Sequence, residues 1–237
     1  MSEAVHDGVE VAPSGGGVLP RLGSALAIAP LGVWTVWHLW ENLYVWAGRE
    51  AWSAHVTDVH VTDGAPAAYV GNAASSWLVS LAVLGPLVLH ALWGMRRVRM
   101  MKPNGYKYFG NAKYLLQRLS AVGLLGFLAA HIYLARIKPA LHNATGHEEF
   151  CDLAGHMRHH PPTLAVYSLG VLGIAFHLAN GVFTAAFIHG LASSPRASQR
   201  MQLASYLLFA LLVVFGFGAI AGLYQQADIY GCAVPVD

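Results

Sequence analysis

Charge is what this sequence has least of. Only 11% of its 237 residues are Asp, Glu, Lys or Arg, against about 25% in soluble domains. Hydrophobic residues make up 56% and the mean hydropathy is +0.47. This balance excludes an ordinary soluble catalytic domain and points to a polytopic membrane protein. Cysteine is nearly absent, with Cys151 and Cys232 the only two, which leaves no thiolate cluster for zinc or iron–sulfur chemistry. The amino-terminal region lacks a basic start followed by a short apolar run, so no secretory leader is expected. No internal repeat stands out. A net charge of +2 gives no reason to expect a nucleic-acid partner.

What is present is long apolar runs. A membrane helix needs about 20 apolar residues, and five stretches qualify: 22–46, 77–98, 114–135, 163–191 and 203–224. Ten of the fourteen Lys and Arg fall at one set of ends: Arg21, the block from Arg96 to Arg118, and Arg196 with Arg200. The opposite loops carry Glu50, Asp58, Asp63, Glu148, Glu149 and Asp152. Positive loops stay inside, so the amino terminus is expected in the cytoplasm and the carboxyl terminus outside. The expected class is an all-α membrane protein with five transmembrane helices, the first four forming a cofactor-binding bundle. The expected organisation is a flexible cytoplasmic tail over 1–20, a transmembrane domain over 21–226 and an outer tail over 227–237. The fourth run is long for a core of about 30 Å, so tilt or a cytoplasmic extension is expected. Pro30 and Pro86 lie inside spans, where each can bend its helix.

Each of the first four spans carries one deep histidine: His38, His90, His131 and His177. An ionisable side chain at that depth is costly and normally faces a partner inside the bundle. At about 1.5 Å rise per residue, His38 lies about 25 Å past Arg21 and His131 about 20 Å past Arg118. Both belong in the outer half. His90 lies about 9 Å before Arg96, and His177 about 22 Å past Pro162. Both belong in the inner half. Polar contacts between helices would explain one such histidine. Four, sorted into two depths, suit two bis-histidine haems, an arrangement that leaves no open iron position and serves electron transfer.

The surroundings agree. Gly173 and Gly181 flank His177, Pro86 and Gly94 flank His90, and Gly123 and Gly126 precede His131. Small residues a turn from a ligand leave room for a flat porphyrin, although they also serve close helix packing. Arg21, Ser24, Gln117, Arg118 and Ser120 sit at the cytoplasmic ends of spans one and three. They are candidates to bind haem carboxylates, with plain interfacial anchoring as the other reading.

The segments RLGSALAIAPLGVWTVWHLWEN, GPLVLHALWGM, QRLSAVGLLGFLAAHIYLAR, FHLANGVFTAAF and SSPRASQR together resemble the diheme cytochrome b membrane-anchor subunit of succinate:quinone oxidoreductases, the succinate dehydrogenases and fumarate reductases. The likeness is to the single-chain, five-helix type found with menaquinone, and it spans about residues 20 to 225 in order. The resemblance implies two haem b groups, with His90 and His177 at the proximal (cytoplasmic) haem and His38 and His131 at the distal one. It implies a flavoprotein subunit and an iron–sulfur subunit on the cytoplasmic face of a bacterial inner membrane. It also implies a quinone, expected to be menaquinone, near the distal haem. The fourth span lacks the glutamate that some fumarate-reductase relatives carry before the matching histidine.

Glu41 and Asn42 follow His38 by about one turn and are candidates for the quinone site. Two readings of Glu41 stay open: proton exchange with a quinone, or a carboxylate reaching back to the interface. The loop CDLAGHMRHHPP places Cys151, His156, His159 and His160 outside. Its histidines read as solvated or as lining the quinone entrance, with a metal site as the other reading. Cys151 and Cys232 share the outer side, where disulfides persist, and are expected to pair. Two rival functions remain: a diheme cytochrome of another respiratory complex such as a hydrogenase or formate dehydrogenase, and a transporter relaying protons through its histidines.

Overall fold

The computed structural model describes residues 18–57, 59–60, 68–69, 73–100, 109–142 and 147–233. Among these described residues, five helices are long and apolar enough to cross a membrane: Arg21–Ala47, Ser80–Arg99, Asn111–His142, Pro161–Ile188 and Pro195–Ile229. The protein is thus an all-α membrane protein of five spans. Besides helices, the described residues hold one short antiparallel pairing, Val59–His60 with Ala68–Tyr69.

Local sequence explains where the helices bend and stop. Pro30 has no N–H to donate, and the first span widens into a π-helical stretch, Ala27–Gly32, around it. That span ends at Gly48, whose φ of 102° is open to glycine and strained for other residues. The Tyr230 hydroxyl leaves no room there for a Cβ. Pro86 is accommodated inside the long helix Ala73–Arg99. The third span continues through a π-helical turn, Tyr133–Ile137, to His142. The fourth starts with Pro161 at its first position, where the missing N–H costs nothing. It stops at Ile188, short of the expected 191, because the backbone turns at Gly190 with φ 76°. The fifth opens with Ser194, whose side chain accepts a hydrogen bond from Ala197 N. It runs to Ile229, past the boundary expected at 226. The first helix begins at Val18, and the rest of the expected tail, 1–17, lies outside the described residues.

Small residues bring the spans together. A Cβ on Gly216 would lie 2.5 Å from Val171, one on Gly170 2.6 Å from Phe127, and one on Gly32 3.1 Å from Leu178. The fifth span therefore packs on the fourth, the fourth on the third, and the first on the fourth. Ser205 Oγ donates to the Ala179 carbonyl at 2.8 Å in a buried link between the last two spans. Toward the outer face, the loop helix Phe150–His159 covers the ends of the first and fifth spans. Its Phe150, Ala154 and Met157 bury themselves against Val45, Trp52 and Leu223. A disulfide joins Cys151 of this helix to Cys232, as expected from the shared side.

Candidate functional site: two facing histidine pairs

The four deep histidines meet in two pairs. The His38 and His131 ring centroids lie 6.0 Å apart, and those of His90 and His177 6.2 Å apart. The first pair joins spans one and three, the second spans two and four. Two imidazoles binding one metal from opposite sides, each through a bond of about 2 Å, hold their centroids about 6 Å apart. Each pair fits that arrangement.

The surroundings fit a further group beside the inner pair. His90 Nδ1 and Arg118 Nε are buried polar atoms with no partner among the described residues, which a native interior normally does not tolerate without an occupant. A Cβ on Gly94, Gly123 or Gly126 would meet nothing within 4 Å. At Gly173 and Gly181 it would make ordinary contacts, with Leu124 and Gln117. The glycines phased on the histidines thus leave space, while the tight packing falls on Gly170, Gly216 and Gly222 instead.

The candidate carboxylate-binding residues occupy varied positions. Gln117 and Ser120 turn inward to His177. Ser120 Oγ lies 3.2 Å from His177 Nδ1 and donates its proton to the Gln117 carbonyl. Gln117 Nε2 donates to the His177 carbonyl at 3.0 Å and lies 3.3 Å from Nδ1. Asn180 Nδ2 donates to Gln117 Oε1 at 2.8 Å. Ser24 Oγ donates to the Arg21 carbonyl and lies 2.9 Å from His189 Nε2. Arg21 is exposed. The Arg118 guanidinium lies 5.1 Å from the Tyr114 ring centre.

At the outer pair, Trp34 stacks on His38 and Phe127 on His131, at centroid distances of 5.7 Å each. His131 Nδ1 lies 3.2 Å from the Tyr167 hydroxyl. A cavity of about 250 Å³ opens beside His131, lined among others by Phe127, Leu134, His160, Thr163 and Tyr167. Asn42 is engaged elsewhere. Its Nδ2 donates to the His38 carbonyl at 2.8 Å, and its Oδ1 accepts from Trp52 Nε1 at 3.2 Å. Glu41 is half-buried on the helix Val33–Asn42. In the outer loop, His156 Nδ1 bonds to the Asp152 carbonyl and His160 Nδ1 to Thr163 Oγ1.

Tyr167 and Asn180 are the residues that sequence reasoning missed. In the sequence, Tyr167 reads as one more aromatic residue near an interface. Only depth matching across spans three and four would have set it opposite His131.

The fold is that of an all-α membrane protein with five candidate spans, and its first four spans carry two facing histidine pairs. No family model matches the chain. It is similar to the succinate dehydrogenase cytochrome b558 subunit of Bacillus subtilis (strain 168), with 29% identity over 202 residues, 84% of this chain and 93% of the relative. The likeness runs along most of both chains.

Proposed function

We propose that this chain is the membrane anchor and electron-transfer subunit of a succinate:menaquinone oxidoreductase in a bacterial cytoplasmic membrane. The observation that carries the reading is the 6.0 Å and 6.2 Å spacing of the two histidine pairs, joined to the similarity, over 84% of the chain, to a succinate dehydrogenase cytochrome subunit. His90 and His177 would hold the inner haem b, and His38 and His131 the outer one. Bound there, haem would supply a one-electron redox centre. Spans one to four hold the imidazoles at two depths and keep water from them. A flavoprotein and an iron–sulfur subunit dock on the cytoplasmic face, where Arg96, Arg97, Arg99 and Lys113 are concentrated. Arg118, whose Nε has no hydrogen-bond partner among the described residues, would bind an inner haem carboxylate.

Quinone exchange takes place toward the outer face. The cavity beside His131 supports its placement between the outer ends of spans three and four. Asn42, already bonded to Trp52 and the His38 carbonyl, acts there as a scaffold for the first span.

A pyridine haemochrome assay with a reduced-minus-oxidised spectrum on the purified complex tests the reading. Two b haems per chain support it. A colourless chain overturns it and turns the histidines into a proton path. A complex lacking the flavoprotein and iron–sulfur partners would move the chain to another respiratory complex.

A further inference from the structure

Two hydroxyl groups stand behind one imidazole of each pair, and they differ. Behind His177 it is the aliphatic hydroxyl of Ser120, 3.2 Å from Nδ1. Its own proton is committed to the Gln117 carbonyl, so its oxygen is left to accept the Nδ1 proton. Behind His131 it is the phenol of Tyr167, 3.2 Å from Nδ1. Tyr167 comes from the adjacent fourth span, and its ring packs edge-on against Phe127, which in turn stacks on His131. Tyr167 also lines the cavity beside His131. With Nε2 on a metal, each Nδ1 carries the ring proton, and the hydroxyl oxygen beside it is placed to accept that proton.

We propose that Tyr167 and Ser120 are positioning residues that set the two haem sites apart, Tyr167 acting on the outer one through His131 and Ser120 on the inner one through His177. This rests on the bis-histidine haem reading above. An acceptor on Nδ1–H orients the ring and makes the imidazole a stronger donor, and such bonds shift the potential of the bound iron. A stronger donor favours the oxidised iron, so removing the acceptor raises the potential. The phenol links the outer ligand to the cavity wall. The serine is enclosed by Gln117 and has no such link.

The test is a potentiometric titration of the purified complex, read in the haem absorbance and in the low-spin electron paramagnetic resonance signals. The wild type must first show two b haems. If it does not, the haem reading fails and this proposal with it. Given two haems, Tyr167→Phe keeps the ring in the cavity wall and removes the acceptor. The outer haem's redox equilibrium is expected to shift about tenfold toward reduction, about 59 mV for a one-electron couple, with the inner haem unchanged. Ser120→Ala is expected to do the reverse. Unmoved potentials in both variants, or equal shifts of both haems in either one, overturn the proposal while leaving the haem reading intact. Should Tyr167→Phe assemble without its outer haem, Tyr167→Gln, which returns an acceptor oxygen, must restore it. A haem missing from both variants shows that an acceptor oxygen at this position does not secure the site and overturns the proposal.

Discussion

Gly170 lies flat against the Phe127 ring, and a Cβ added to it would sit 2.6 Å from the ring edge. Phe127 is stacked on His131 with an interplanar angle of 7°. Gly170→Ala must therefore push the ring that backs the outer histidine. Overpacking of this kind costs about 1–3 kcal/mol. Thermal unfolding in detergent should show the loss. The variant's difference spectrum should change at the outer haem and not at the inner one, because His90 and His177 have no contact with Phe127 among the ring contacts of either residue.

Single alanine replacements of the four histidines should fall into two classes. His38→Ala and His131→Ala should abolish the same spectral component, since those rings face each other. His90→Ala and His177→Ala should abolish the other. Haem content per chain and the split of the difference spectrum check this. Four distinct phenotypes would break the pairing.

The Cys151–Cys232 disulfide closes a sequence separation of 81 residues, and the loop helix it holds buries Phe150, Ala154 and Met157. Cys232→Ser should lower the unfolding free energy of the outer cap by about 2–4 kcal/mol. Maleimide labelling should find no free thiol in the native chain and two after reduction. Labelling before reduction would show that the pair is open.

Glu148, between the third span and the loop helix, has its carboxyl pushed up to about 7, mainly by burial and further by the nearby Asp152. A carboxyl whose folded pKa is raised favours the fold while protonated. Its stabilising effect is full below the ordinary carboxylate range and is lost as pH rises through about 7. Melting temperatures measured between pH 5 and 8 should fall more steeply in the wild type than in Glu148→Gln. Parallel curves would show that Glu148 does not titrate in this window.

The sequence by itself marked the five spans and sorted the four histidines into the two pairs that meet. Those properties depend on local composition and on a rise of about 1.5 Å per residue, both readable along one chain. Asymmetry of Lys and Arg between loops is likewise a one-dimensional signal. The outer disulfide followed from two cysteines confined to one side.

The tertiary structure decided what lies beside each ring. Gln117 and Ser120 look alike from the sequence as candidates for a haem carboxylate, because both sit near a cytoplasmic helix end. Helix rotation turns both toward His177, and rotation is set by packing against neighbouring spans, as at Gly170 on Phe127 and Gly216 on Val171. Asn42, a candidate for the quinone site, bonds to Trp52 and the His38 carbonyl. Its partner Trp52 arrives only after the chain turns back at Gly48. Tyr167 reached His131 the same way, from another helix at matching depth. Contacts between spans depend on azimuth as well as depth, and an almost uniformly apolar span carries little periodic signal from which azimuth can be read.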